Sequence, residues 1–404
     1  MKMIEGGVTA AQGFVAGGIH CGIRKNKSKP DLAMIYSEKP CAAAAVYTQN
    51  LVKGAPILVT QKNIADGAAK AVICNSGNAN TCNADGEEKA QAMCDLTAQA
   101  LGIAPQDVVV ASTGVIGQVL PIEPIQAGIP ELVKALSADG SHAAATAIMT
   151  TDTIAKEAAA EVEIGGKTVK VGGISKGSGM IHPNMATMLV FVTTDAAISP
   201  QMLQKALSAD VQTSFNRISV DGDTSTNDMC CVLANGMAGN AEITAEGEDY
   251  AAFCAALNAV TTALCRMIAR DGEGATKLVE CALSGAKTQA AADAVSKAVI
   301  CSSLVKAAMF GSDANWGRVL CAIGYAGADV DVNKVDVYFC SAAGRVSVCK
   351  SGAGVDFSED EAKKVLLEDE VTIEVDLNDG NFSSVAWGCD LTYDYVKING
   401  DYRT

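Results

Sequence analysis

The stretch from Gly177 to Asp195, GSGMIHPNMATMLVFVTTD, constrains this chain more than any other. Its first half is a loop, punctuated by Gly177, Gly179 and Pro183. Its second half, Met188 to Val192, is a short apolar run with the composition of a buried strand. Thr187 therefore stands at the mouth of that strand, directly after the small residue Ala186. A threonine hydroxyl is a weak nucleophile unless a base adjoins it. If the chain is cut before Thr187, the new α-amine, with a pKa of about 8, supplies that base within the same residue. The residue also has an ordinary use. A Thr hydroxyl caps turns and its branched Cβ suits a strand, and the loop by itself does not choose between the two.

A length of 404 residues predicts two domains with ample core. With 49% hydrophobic and 19% charged residues the chain is globular, and with only 4% aromatics its core is built from small aliphatic side chains. A net charge of −15 leaves no basic face for nucleic acid and argues against an anionic membrane surface. A small anionic substrate needs only one local Lys or Arg. The 15 cysteines include no C-x-x-C pair, which predicts reduced, buried thiols in a cytoplasmic protein. His20, His142 and His182 are too few for a multi-histidine metal site, so no metal is expected. The first residues show no basic segment followed by an apolar one, so no secretory signal is expected. No apolar run reads as a membrane span.

Periodicity predicts strands at 42–47, 57–60, 71–74 and 108–111 and a helix over 87–101. It predicts a mostly helical 131–149, broken near Asp139-Gly140, and a hairpin over 161–171 around Gly165-Gly166. Ser199-Pro200 opens a helix, 248–270 is one long helix, and 288–309 a second. The remainder is strand-rich, with one helix capped at Ser358. This divides the chain into a larger domain, 1–285, and a smaller C-terminal α+β domain, 286–404.

Several motifs could carry chemistry. Ser112-Thr113-Gly114 follows an apolar strand, and such a turn either presents donors to an oxyanion or is an ordinary turn. Lys176, before Gly-Ser-Gly, either meets an anionic group or is solvated; the order does not match a P-loop. The 221–228 segment, DGDTSTND, resembles a calcium loop but has Thr226 where glycine is needed and Val232 where a ligating Glu is needed. It reads instead as a polar turn that lines a site. Glu273, between two glycines, offers a carboxylate to an ammonium group or to solvent. Trp316, on the turn Asn315-Trp316-Gly317-Arg318, reads as packing.

Taken together, these motifs carry a resemblance. Asn75-Ser-Gly-Asn-Ala-Asn80, Ser112-Thr113-Gly114, Met185-Ala186-Thr187-Met188-Leu189, Val220 to Asp228, Asp271-Gly-Glu-Gly-Ala-Thr-Lys277 and the closing Ile398 to Thr404 occur in one order along the chain. The chain resembles the glutamate N-acetyltransferase / ornithine acetyltransferase family of arginine biosynthesis. The resemblance implies an α/β fold, a layered αββα-like sandwich of the self-processing N-terminal-nucleophile type with its own topology. It implies self-cleavage between Ala186 and Thr187 into an α chain, 1–186, and a β chain, 187–404, assembling to α2β2. It further implies ping-pong transfer of acetyl from N2-acetyl-L-ornithine to L-glutamate through acetyl-Thr187. Carried over by position, Thr113 and Gly114 stabilise the oxyanion, and Thr150, Lys176, Thr187, Glu273, Asn399 and Thr404 bind substrate. No cofactor is implied, and acetyl-CoA stays open as a further acetyl donor. An alternative is a self-processing aminopeptidase or amidase, in which water resolves the acyl-enzyme; another is an uncut amino-acid-binding protein. Ala314 stands where the family often has proline, which bears on the stiffness of that turn and not on the chemistry.

Overall fold

The computed structural model describes residues 1–182 and 188–401. Up to Ala234 the described strands are β1 (Lys2–Ile4), β2 (Phe14–Ile19), β3 (Leu32–Tyr47), β4 (Ala68–Asn75), β5 (Val108–Ser112), β6 (Lys156–Ile164), β7 (Lys167–Lys176), β8 (Leu189–Thr194), β9 (Ile218–Ser219) and β10 (Met229–Ala234). Among them lie α1 (Ala55–Asn63), α2 (Gly86–Leu101), α3 (Ile122–Ala135), α4 (Ser141–Ala147) and α5 (Pro200–Thr213). Beyond come α6 (Glu248–Arg270), β11 (Leu278–Ala286), α7 (Gln289–Cys301), α8 (Ser303–Phe310), α9 (Trp316–Gly324), β12 (Asp336–Ser341), β13 (Gly344–Lys350) and β14 (Ala353–Gly354). The chain closes with α10 (Glu359–Leu366), β15 (Glu370–Asp376), β16 (Phe382–Cys389) and α11 (Tyr393–Asp401).

The first sheet runs β1-β6-β7-β8-β10-β3-β4-β5, with β2 added on β3. The apolar run after the Gly-Pro loop forms β8, held between antiparallel β7 and parallel β10, and every one of its residues is buried. The run lacks polar alternation because both of its faces meet core. Val190 and Val192 pack with α5 and α6, while Leu189 and Phe191 point into a second core.

That second core lies between two arms of the same sheet. β3 is 16 residues long, and its pairing with β4 is irregular between Tyr36 and Cys41. Beyond that irregularity Val72 and Cys74 of β4 share a core with Ile174 of β7 and Phe191 of β8. Outside one arm lie α5 and α6, and outside the other α2 and α3 pack on Ala71, Ile73, Val108 and Val110. The order of layers is therefore α-β-β-α, as the α/β layered class requires. A second sheet, β14-β13-β12-β15-β11-β16-β9, packs against α7 to α10. Its last strand, β9, comes from far upstream and pairs with β16 at Trp387↔Ile218, immediately before the 221–228 turn.

Three local expectations differ. The 57–60 run is helical, part of α1, because Pro56 starts a helix whose Ile57, Val59 and Thr60 are buried; tertiary packing overrides the β-branched composition. The helix expected over 288–309 is broken at Ser302, whose side chain accepts the Val305 N–H and starts α8. Helix α6, 23 residues, contains an 18-residue stretch with a mean hydropathy of 1.5 and is long and apolar enough to cross a membrane by length and composition alone. Here its apolar side, including Phe253, Leu257, Val260 and Leu264, packs in the core beside α5 and the outer face of the first sheet.

Candidate active site

The turn after β5 is built from below by the Asn75–Asn80 loop. The Asn75 carboxamide donates to Ser112 Oγ (2.6 Å) and accepts from the Gly77 and Asn78 N–H groups. The Asn75 carbonyl accepts the Thr113 N–H at 2.9 Å. Two donors of the turn stay available, the Thr113 hydroxyl and the Gly114 N–H, which makes no hydrogen bond to another described residue. Gly114 has φ +133°, and a Cβ there would stand 2.7 Å from the Asn78 nitrogen. The close approach of the two loops therefore requires glycine.

Asn227 closes the turn from the other side. Its Nδ2 donates to the Ala79 carbonyl (2.6 Å) and the Ser112 carbonyl (2.9 Å), and its Oδ1 accepts from the hydroxyls of Thr81 and Thr226 (both 2.6 Å). The 221–228 segment thus spends its polar groups tying other segments together as well as its own turn. Asp221 accepts the Met180 and Ile181 N–H groups (2.6 and 2.8 Å) and the Tyr395 hydroxyl (3.2 Å).

Lys176 ends β7, and it is buried rather than solvated, 8% exposed. Its Nζ reaches Thr113 Oγ1 at 3.4 Å. Across the cleft Glu273 accepts from Asn399 Nδ2 at 2.7 Å. Gly274 lets α11 approach this loop, since a Cβ there would stand 2.7 Å from the Tyr395 nitrogen. Thr392 also donates to the Gly274 carbonyl.

Thr113, Gly114, Thr150, Lys176, Glu273 and Asn399 line one cleft, together with Asp221, Asp223, Asn227 and Tyr395. Its empty space is about 760 Å³, mouth included. Ala186, Thr187 and Thr404 lie outside the described residues. Met188, next in the chain to Thr187, lines an adjoining recess with Thr113, Lys176 and Asp228. Lys176 is the one cation lining the cleft among the described residues, and it faces Glu273, Asp221 and Asp223. The cleft therefore carries a positive end and a negative end, suited to a ligand with a carboxylate and an ammonium group.

Sequence reasoning missed the pair Asp152 and Lys156, and it placed Asp228 in a site-lining turn without foreseeing its burial. Asp152 and Lys156 lie beneath the site as a buried ion pair (2.7 Å). Burial raises the Asp152 carboxyl, but the Lys156 and Lys176 ammonium groups outweigh it and hold the carboxyl well below the usual range. Asp228 faces the recess fully buried, and its Oδ2 has no hydrogen-bond partner among the described residues. Burial drives its pKa well up, although Ser225, Lys176 and Thr48 oppose the shift, so the carboxyl is held toward its neutral form. No spacing or periodicity marks these side chains, because their burial is set by distant segments.

Glycine at 179 also has a reason. A Cβ there would overlap the Glu273 carboxyl, the far end of a flexible side chain. Gly179→Ala is therefore expected to fold with a melting temperature near wild type but to displace that carboxylate. The KM of a substrate carrying an ammonium group should rise about tenfold, measured by steady-state kinetics. An unchanged KM would show that Glu273 does not contact substrate.

His182 precedes the undescribed 183–187 segment. Its Nδ1 meets Ser219 Oγ at 3.1 Å and Cys301 Sγ at 3.6 Å. Burial, then the Lys297 ammonium, lowers its pKa to about 4, with Asp221 opposing. Its unfolded value is about 6.5. The neutral ring thus contributes stability above pH 6.5 that is lost as pH falls through 4. Urea midpoints of His182→Gln should fall less than those of wild type over this window; identical slopes would exclude His182 as a source of acid lability.

Comparisons with known proteins show the family. The model of the ArgJ family matches residues 15–404. An arginine biosynthesis bifunctional protein ArgJ from Symbiobacterium thermophilum is 54% identical over 406 residues, covering 100% of both chains. ArgJ 1 from Clostridium acetobutylicum is 52% identical over 398 residues, covering 98% of this chain and 97% of that protein. The crystal structure of ArgJ from Bacillus halodurans is 49% identical, with a TM-score of 0.50, and its chain matches 52% of this one over 98% of its own length. A match of this extent along the chain, at about half identity, places the protein: it belongs to the ArgJ family of arginine biosynthesis.

Proposed function

We propose that this acyltransferase moves the acetyl group of N2-acetyl-L-ornithine to L-glutamate through an acetyl-Thr187 intermediate, after cleaving itself between Ala186 and Thr187. The observation that carries the reading is the gathering, in one cleft, of Thr113 and Gly114 donors, the Lys176 cation and the Glu273–Asn399 pair, beside Met188. The Thr187 hydroxyl attacks the acetyl carbonyl and its α-amine takes the proton. The Thr113 hydroxyl and the Gly114 N–H stabilise the oxyanion. Collapse breaks the bond to the ornithine α-nitrogen, which leaves carrying that proton. The α-amine of glutamate then attacks the ester carbonyl by the same route, giving N-acetylglutamate and free Thr187.

Lys176 meets the substrate carboxylate, Glu273 and Asn399 meet the ammonium end, and Thr150 and Thr404 complete the binding positions. The transfer needs no cofactor, and acetyl-CoA is a candidate second donor of the same acetyl group. The solved relative whose chain spans about half of this one supports processing into α and β chains, for which we propose an α2β2 assembly in the cytoplasm.

Intact mass under denaturing conditions tests the processing step, with two species meeting at Ala186/Thr187 as the expected result. Incubation of the purified protein with N2-acetyl-ornithine and glutamate tests the transfer. N-acetylglutamate should form in step with ornithine. Release of acetate with no consumption of glutamate would instead identify a hydrolase.

A further inference from the structure

Lys156 is fully buried, with 0% of its surface exposed. Its ammonium group touches two carboxylates, Asp152 Oδ1 at 2.7 Å and Asp271 Oδ2 at 2.6 Å. Each carboxylate in turn holds a different part of the cleft. Asp152 accepts the N–H of Thr150 (3.0 Å) and of Gly177 (2.7 Å), so it fixes the backbone at Thr150 and just after Lys176. Asp271 accepts the Thr153 N–H at 3.0 Å and the Thr153 hydroxyl, and it lies two residues before Glu273. The Glu273 N–H donates to the Ser178 carbonyl at 2.8 Å, a weaker second tie between the same loops.

A buried ammonium with two buried carboxylate neighbours is a demanding arrangement, since each charge costs several kcal/mol to bury and is offset only by its partners. Two hydrophobic residues and a backbone hydrogen bond would hold a loop at lower cost. The arrangement suits a different task. It makes the distance between two loops depend on one short, directional bridge.

We infer that Lys156 is a positioning residue for substrate binding, setting the separation between the Lys176 cation and the Glu273 carboxylate to the span of an amino-acid substrate with a carboxylate at one end and an ammonium at the other. This rests on the reading above that Lys176 and Glu273 bind those two ends. Lys156 touches no substrate and acts through Asp152 and Asp271.

The test compares Lys156→Met and Asp271→Asn with wild type, each checked for folding by thermal melting and for processing by intact mass. Asp271→Asn is the milder change, because it leaves Lys156 and Asp152 as a balanced pair. KM for N2-acetyl-ornithine is expected to rise about tenfold in both variants while kcat stays within about threefold. A purely structural role would lower the melting temperature and leave KM alone, and that result in Asp271→Asn overturns the inference even if Lys156→Met does not fold. Lys176→Ala and Glu273→Gln are measured alongside. If both raise KM and Asp271→Asn does not, the positioning role alone falls. If neither raises KM, the charge-binding reading falls and the inference falls with it.

Discussion

Thr187→Ala is expected to leave the chain uncut between Ala186 and Thr187 and to abolish acetyl transfer, by roughly 10⁴-fold or more. Two losses are predicted from one substitution because one residue carries two roles. In the proposed mechanism its hydroxyl is the nucleophile in both processing and transfer, and its α-amine becomes a base only once processing has occurred. The remaining donors of the cleft, Thr113, Gly114 and Lys176, stay in place, so substrate binding should survive better than turnover. Thr187→Ser keeps a hydroxyl and should retain both reactions at a reduced rate. Denaturing mass spectrometry reads the first effect and formation of N-acetylglutamate reads the second. Transfer at the wild-type rate by the alanine variant would remove Thr187 from the mechanism.

The second large effect is expected at Asn227, a residue that would touch the chemistry only through its neighbours. Its carboxamide makes four hydrogen bonds, to the carbonyls of Ala79 and Ser112 and from the hydroxyls of Thr81 and Thr226. Asn227→Ala leaves the buried Ser112 carbonyl without its donor, while the Ala79 carbonyl keeps the Thr81 hydroxyl at 3.3 Å. An orphaned buried polar group costs about 1–3 kcal/mol, and the loss of stability should fall in that range. The Ser112 carbonyl lies directly before the Thr113-Gly114 donors, and loosening it should also lower kcat about 100-fold, the scale on which losing an oxyanion donor acts. Urea unfolding and steady-state kinetics check the two parts separately. A folded variant with wild-type kcat would mean that the turn keeps its geometry without Asn227.

Much of this architecture was legible before any coordinates. The Met188–Val192 run predicts a buried strand, and β8 is that strand, buried on both faces at the centre of its sheet. Ser199-Pro200 and Ser358 announced helix starts that the structure realises through side-chain caps on Met202 and Glu361. These signals are local: a capping hydroxyl, a first-turn proline or an apolar run acts on its own few residues. The Ile57–Thr60 run misled for the complementary reason. Its β-branched composition describes a strand, but Pro56 and burial beneath β5 decide for a helix.

The sequence by itself determined the strand after the loop, the order of the motifs and, through their resemblance, the family. The tertiary structure alone decided that Lys176 is buried rather than solvated, that Asn227 holds the turn before Gly114, and that Lys156 bridges two carboxylates beneath the cleft. Spacing along a chain specifies which residues share a face of one helix or strand. It cannot specify which distant segments will surround a given side chain, and the burial and charge of that side chain depend on those segments.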